Sequence, residues 1–123
     1  MGAHTLVVMS YASLNELLNR LWEVETDTYP EGEPFVEAVR SGSMSIEIYA
    51  PRGEDIQEPH DQDEAYIIVQ GKAALMRGDD EIRCGSGDVI VVPAGVVHRF
   101  VEMTDDFMCW AIFWGPPGGE AQA

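Results

Sequence analysis

Histidine and glutamate side chains in two short segments are the residues of this chain best suited to chemistry. Of the three histidines, His4 lies in the N-terminal lead and looks incidental, whereas His60 and His98 each stand beside prolines or glycines that predict turns. Glu58 and Glu64 flank His60 in the sequence. Imidazole nitrogens and carboxylate oxygens are ligands of divalent transition metals, so these two segments are the place to look for a metal site.

Short strands must position these side chains. From residue 35 onward, apolar runs alternate with glycine-rich and acidic turns, a pattern typical of an all-β sandwich or barrel. We expect strands at 35–40, 44–50, 64–70, 72–77, 81–84, 88–92, 97–102 and 107–114. The polar segment 51–63, which contains proline and glycine, has the composition of a loop.

The alternation of side chains along a strand predicts a cluster inside the barrel. Successive side chains point to opposite faces of a strand. The residues expected to point inward with His60 and His98 are Glu58, Glu64, Tyr66, Ile68, Phe100 and Glu102. Buried carboxylates are costly unless they are paired or bind a cation, so a metal ion would explain the cluster. The alternative is that both histidines are ordinary core or turn residues.

Two segments resemble the two sequence motifs of the cupin superfamily. The first motif matches from His60 to Gly71 and the second from Gly87 to His98, and together with their flanks they cover residues 53–102. The resemblance implies a cupin-type double-stranded β-helix (jelly-roll) barrel with one short N-terminal helix, forming a single domain over residues 1–123. It also implies one divalent metal ion held by His60, Glu64 and His98.

Three departures from the family pattern concern the site. Glu58 stands where the family has its first histidine, Gly53 is one residue closer than usual, and Glu102 replaces an asparagine. Glu58 could be a fourth ligand, hydrogen-bond to a metal-bound water, or point outward. As a ligand it would bring the charge of the donor set to about −2, which favours redox or orienting roles of the ion over water activation. The metal could be Fe, Mn, Ni or Zn.

Tyr66 is the candidate catalytic residue. It lies two positions after Glu64 and is expected to point towards the metal. Some small cupin lyases that eliminate dimethyl sulfide are similar here and use a tyrosine as the base. The alternative is a packing tyrosine with a satisfied hydroxyl. Ile68, Phe100 and Glu102 are predicted to line the surrounding pocket.

The two ends of the chain carry different signals. Ser13 and Glu16 have the spacing of a capping box, and leucines then recur at helical spacing, which predicts a helix over 13–23. The barrel is expected over about 34–114, followed by a flexible tail at 115–123. The last strand is apolar on both faces, so its outer face is expected to pack against a homodimer partner or against the N-terminal helix.

The composition of the chain limits the classes of molecule that it is expected to bind and the compartment in which it is expected to lie. The net charge of −15, from 22 acidic and seven basic residues, argues against nucleic-acid or anionic membrane partners. No apolar stretch approaches the roughly 20 residues that span a bilayer, and no signal peptide is apparent, so a cytoplasmic protein is expected. Cys84 and Cys109 lack a metal-binding spacing and are expected to be buried, reduced thiols.

The expected function is that of a metal-dependent enzyme acting on a small molecule. Oxygenation of a small organic acid or phenol ranks ahead of isomerisation or elimination. The alternative is a non-catalytic cupin that binds a metal or small ligand. A metal-free sugar epimerase of the related barrel type would need a catalytic His–Asp pair, which the sequence does not place. Because one fold hosts many functions, the choice among these functions must be made from the residues of the site and not from the fold.

Overall fold

The computed structural model describes residues 10–121 and is built mainly of strands. Its elements are α1 Leu14–Leu18, β1 Phe35–Ser41, β2 Met44–Tyr49, β3 Asp63–Gln70, β4 Lys72–Arg77, β5 Asp80–Gly85, β6 Val89–Val92, β7 His98–Val101 and β8 Met108–Trp114. Each predicted strand is present, with ends within one residue of those expected. The predicted all-β architecture is confirmed.

The strands form two antiparallel sheets with a shared core. One sheet has five strands in the order β1-β2-β8-β3-β6, and the other has three in the order β5-β4-β7. Tyr66 and Cys109 from the first sheet pack with Leu75 and Phe100 from the second, and all four are fully buried. This apolar core fixes the distance between β3 and β7, which carry two of the candidate ligands.

Strand register aligns several inward-facing residues in rows across the larger sheet. In one row, Glu47 of β2 lies opposite Ala111 of β8, which lies opposite Tyr66 of β3. In the next row, Phe113 lies opposite Glu64. Because residues paired across a sheet share a face, Glu47 belongs to the same face as Tyr66, although β8 lies between their strands in the sheet.

The N-terminal helix is shorter than the predicted 13–23. It ends at Leu18, and the Ser13 side chain makes no capping hydrogen bond. Trp22 has a φ of 68°, and its amide donates instead to the carbonyl of Glu33 at 3.0 Å. This contact with a distant segment takes the place of the hydrogen bond that the Trp22 amide would make within a helix. The predicted helix is therefore correct only for its first part, Leu14–Leu18. No helix among the described residues is long and apolar enough to cross a membrane.

The N-terminal segment nevertheless covers part of the outer face of the larger sheet. Leu17 and Leu21 pack in one cluster with Ile48, and Trp110 packs against it. Farther along the same sheet, Val89 and Val91 of the edge strand β6 are 62% and 47% exposed. Homodimerisation through the outer face of β8 stays a prediction, which sedimentation equilibrium would test.

Residues 115–121, the described part of the expected flexible tail 115–123, make hydrogen bonds to the barrel. The Gly118 amide donates to the Asp61 carbonyl at 2.7 Å, and the Glu120 amide donates to the Asp63 carboxylate at 2.9 Å. The Glu120 and Ala94 amides together lower the pKa of Asp63. Cys84 and Cys109 are free and buried, as predicted.

Candidate metal centre

The structure brings together His60, Glu64 and His98. His60 lies in the loop before β3, Glu64 is the second residue of β3, and His98 is the first residue of β7 in the other sheet. One potential ligand atom from each residue lies within 4.8 Å of the others. Residues widely separated in the chain therefore meet between the two sheets, as their motif positions implied.

The turn before β7 joins the two motif segments. Gly95 has a φ of 80°, which favours glycine, and its amide donates to the carbonyl of His60 at 2.8 Å. His98 Nδ1 lies 2.8 Å from the carbonyl oxygen of Val96. That carbonyl accepts the Nδ1 proton, so in the neutral imidazole Nε2 carries the lone pair.

Two buried acceptor atoms face each other at the centre of the site. Glu64 and His98 are each 1% exposed, and Glu64 Oε1 lies 3.1 Å from His98 Nε2. Neither atom has a hydrogen-bond partner of acceptable geometry. Buried polar atoms without a partner are unfavourable, so this pair requires a proton or a cation between its lone pairs. A proton on Nε2 would make this pair a buried ion pair, whereas a metal ion would bind both atoms as ligands.

The spacing of the donor atoms suits a transition-metal ion. His60 Nε2 lies 3.6 Å from Glu64 Oε1, and the His60 side chain is 31% exposed. Atoms bound at about 2.1 Å in neighbouring positions of one ion are about 3 Å apart. Two imidazoles and a carboxylate with this spacing fit Fe, Mn, Ni or Zn.

The two histidines differ in their electrostatic environment. Burial lowers the pKa of His60, and the opposing attraction of Glu64 does not restore it. Burial also acts to lower the pKa of His98, but Glu64 and the Val96 carbonyl outweigh it, so the pKa of His98 is raised. In the absence of a cation, His98 is therefore the site's preferred position for a proton.

A buried hydrogen-bond network that the sequence analysis missed adjoins the three residues. Asp55 is 2% exposed and accepts hydrogen bonds from the Tyr49 hydroxyl and from the Phe100 amide at 2.8 Å. It also accepts from the amide of Gln57 at 3.1 Å and from its side-chain Nε2 at 2.6 Å. Residues 50–62 form no strand, so the alternation rule gave no signal for Asp55 or Gln57.

The predicted fourth ligand, Glu58, is not brought into the cluster. Its side chain is exposed and lies at the wall of the cavity described below. The prediction assumed that Glu58 and His60 share a strand face. The chain has no strand there, and it is Gln57 whose side chain reaches His60, with Oε1 3.1 Å from His60 Nε2.

Tyr66 lies where the sequence predicts, fully buried beside the cluster. Its hydroxyl donates to Gln57 Oε1 at 3.0 Å. Burial, reinforced by the nearby Glu64 carboxylate, raises the pKa of Tyr66 well above its usual value. The hydroxyl is therefore protonated and acts as a donor, while a role as catalytic base stays a prediction.

The three predicted pocket residues have different positions. Ile68 and Phe100 point inward but are fully buried in the core below the site. The prediction for Glu102 is wrong: it is exposed, and its carboxylate pairs with Arg83 at 2.9 Å. Strand β7 ends at Val101 and Glu102 has a φ of 53°, so the alternation stops before this residue.

A cavity of about 680 Å³ opens next to the cluster. Its wall includes His60 and Glu64, and its aromatic lining is Tyr29, Phe35, Tyr49 and Phe113. Two further carboxylates, Glu47 and Glu58, also line it, and no arginine or lysine does among the described residues. The volume is that of a small-molecule site.

Comparison with known proteins places the chain in a family. Residues 45–114 match the family model of the cupin domain. The chain belongs to the cupin domain family. It is 35% identical over 100 residues to an uncharacterized protein of Streptomyces coelicolor, a match that covers 80% of this cupin and 94% of that protein.

Solved structures share the fold of this cupin. A cupin-2 domain containing protein from Shewanella frigidimarina is similar with a TM-score of 0.60 and 19% identity, over 93% of this chain and 97% of that chain. A chain from the crystal structures of the DMSP lyases RdDddP and RnDddQII is similar with a TM-score of 0.58 and 16% identity, over 68% of this chain and 47% of that chain. At these identities the likeness shows the fold alone.

Glu47 is the carboxyl group of the cavity with the most altered acidity. Burial, followed by repulsion from Glu64, raises its pKa from 4.5 to about 7. Between these values the folded cupin keeps a proton that the unfolded chain has lost. The free energy of unfolding must therefore fall as the pH rises through this range, with the full penalty present above pH 7.

We expect Glu47→Gln to remove this penalty in the metal-free protein. The variant should match the wild type near pH 5 and be more stable by about 1 to 3 kcal/mol at pH 8.5. Urea denaturation at both pH values, with chelator present, measures the difference. Glu58→Gln is the matched control, since that side chain is exposed. An equal pH dependence in Glu47→Gln and the wild type would contradict the assignment.

Proposed function

We propose that this cupin is a small-molecule enzyme that uses one divalent metal ion held by His60, Glu64 and His98. The observation that carries the proposal is the pair of buried, unpartnered acceptor atoms, Glu64 Oε1 and His98 Nε2, 3.1 Å apart. When bound, the ion would supply Lewis acidity or one-electron redox chemistry. The adjoining cavity provides the space for a substrate.

The protein's own residues have distinct tasks in this proposal. The apolar core that contains Phe100 and Tyr66 excludes water from the inner side of the cluster. The carbonyl of Val96 orients the His98 ring through Nδ1, which leaves Nε2 free to bind. The Tyr66 hydroxyl donates its proton to Gln57 Oε1 at 3.0 Å and so helps to hold that side chain beside the cluster.

The cavity lining favours some substrates over others. Its carboxylates repel anions, and no arginine or lysine among the described residues lines it to offset them. Aromatic rings on the wall suit an aromatic or other flat apolar group. Among the expected reactions, we therefore propose oxygenation of a phenol ahead of that of a small organic acid. Isomerisation and elimination come next, and for elimination the support is that a chain from the DMSP lyase structures has a similar fold.

Metal analysis tests the first part of the proposal. Protein purified without chelator should carry close to one equivalent of a divalent metal, whereas His60→Ala and His98→Ala should carry little. Equal metal content in all three proteins would contradict the site. Circular dichroism of the metal-free proteins checks that each variant is folded.

Oxygen uptake tests the enzymatic part. Iron-loaded protein, mixed with a panel of phenols, catechols and small acids, should consume oxygen with at least one of them. Glu64→Ala should abolish uptake while keeping the fold. A full equivalent of metal with no uptake, and no isomerisation or elimination, would favour the alternative function of a non-catalytic metal- or ligand-binding cupin.

A further inference from the structure

We infer that Gln57 supplies a fourth protein ligand through its Oε1 atom, an inference that rests on the proposed metal site. Two members of the cluster, Glu64 and His98, come from the sheets, and the third, His60, comes from the loop before β3. Gln57 belongs to the same loop as His60, and its side chain reaches the same space.

Gln57 Oε1 lies next to one donor atom of the cluster, His60 Nε2. It lies 3.1 Å from His60 Nε2, the nitrogen that also lies 3.6 Å from Glu64 Oε1. A separation of about 3 Å is that of two atoms bound to the same ion. An amide oxygen is an established type of ligand for hard and intermediate divalent ions.

The hydrogen bonds of Gln57 fix which end of its amide faces the site. Nε2 donates to the buried carboxylate of Asp55 at 2.6 Å, and an ionised carboxylate can only accept. Oε1 must therefore be the end that turns away from Asp55, where it accepts the Tyr66 hydroxyl proton at 3.0 Å. Asp55 is a positioning residue in this arrangement, since it holds the amide oxygen towards the cluster without reaching the ligand atoms itself.

The neighbouring residue, Glu58, has no comparable support. It is exposed and makes no hydrogen bond or ion pair among the described residues. An exposed carboxylate at the cavity wall would lose side-chain entropy on binding, whereas hydrogen bonds already hold the Gln57 amide in place.

The choice of Gln57 over Glu58 changes the charge of the site. Two imidazoles, one carboxylate and a neutral amide carry a charge of about −1, whereas a second carboxylate would bring it to about −2. An ion with the amide ligand keeps a net positive charge and is a stronger Lewis acid. A Glu58 ligand would have weakened the Lewis acidity of the ion. With Gln57 in its place, Lewis-acid chemistry is no longer disfavoured by the charge of the ligands.

Cobalt loading tests the assignment with readouts other than activity. We expect Gln57→Leu to weaken Co²⁺ binding by about 10- to 100-fold in competition with a chelator, and to alter the visible absorption spectrum of the Co²⁺ protein because the ligand set changes. Gln57→Asn, whose amide is one methylene shorter, should behave in the same way. Glu58→Leu is the matched control and should leave both affinity and spectrum unchanged.

Three outcomes separate this inference from the proposed function. If Gln57→Leu and Gln57→Asn keep the wild-type affinity and spectrum while His98→Ala loses Co²⁺, Gln57 is not a ligand and the three-residue site stands. Weaker binding with an unchanged spectrum also overturns the ligand assignment and leaves Gln57 as a hydrogen-bonding neighbour. If His98→Ala binds Co²⁺ as tightly as the wild type, both the inference and the proposed site fail.

Discussion

Divalent metal is expected to stabilise this cupin by about 4 kcal/mol when its concentration is about 1,000 times the dissociation constant, and His98→Ala should lose that stabilisation. The ion binds a site that exists only in the folded chain, because Glu64 and His98 are brought together from two different sheets. The whole binding free energy therefore adds to the stability of the folded state.

Thermal unfolding with and without added metal measures this effect. For a chain of this length, about 4 kcal/mol corresponds to a rise in Tm of about 15 °C. The comparison should be made for Zn²⁺, Mn²⁺, Ni²⁺ and Fe²⁺, the last under anaerobic conditions. Glu58→Gln is expected to keep the full shift. A shift of the same size in His98→Ala would show that the metal binds elsewhere, for instance among the many surface carboxylates.

Asp55→Ala is expected to lower the free energy of unfolding by about 3 to 5 kcal/mol even without metal. The buried Asp55 carboxylate accepts hydrogen bonds from the Tyr49 hydroxyl, from the Phe100 amide and from two donors of Gln57. Its removal leaves these donors buried without a partner, and each such group carries a desolvation penalty of about 1 to 3 kcal/mol. Relaxation of the loop around residues 51–62 would reduce the total of these penalties, which is why the expected loss is smaller than their sum.

Urea denaturation at pH 7 in the presence of chelator measures the loss. Glu54→Ala, at the exposed neighbouring position, is the matched control and should change stability by less than about 0.5 kcal/mol. The loss of unfolding free energy in Asp55→Asn should lie between those in Asp55→Ala and Glu54→Ala. The Asn side-chain oxygen can still accept a hydrogen bond, but its NH2 group faces other donors. A loss below about 1 kcal/mol in Asp55→Ala would mean that the network does not hold the loop.

The strands and the three-residue cluster could be predicted from the sequence. The strand ends were marked by glycine and acidic turns that act locally, so all eight lie within one residue of the predicted positions. His60, Glu64 and His98 could be assigned because their spacing matches two cupin motifs. For Glu64 and His98, which lie within strands, the alternation of side chains also gave the correct face.

The prediction failed where no regular element sets the direction of a side chain. Glu102 follows the last residue of β7 and turns outward with a positive φ. Glu58 lies in an irregular loop, where alternation does not apply. The end of α1 is likewise set by the hydrogen bond between Trp22 and Glu33, a contact between segments ten or so residues apart that helical periodicity cannot reveal.

The sequence by itself determined the eight strands, because turn signals and strand alternation are encoded in neighbouring residues, and its resemblance to the two cupin motifs identified His60, Glu64 and His98 as the candidate metal centre. Only the tertiary structure decided what surrounds that centre. The loop 51–62 is shaped by the carboxylate of Asp55, which gathers donors from β2, from β7 and from the loop itself. This long-range network turns Gln57 towards the site and leaves Glu58 exposed at the cavity wall. No pattern among neighbouring residues specifies the network, because its donors come from distant parts of the chain.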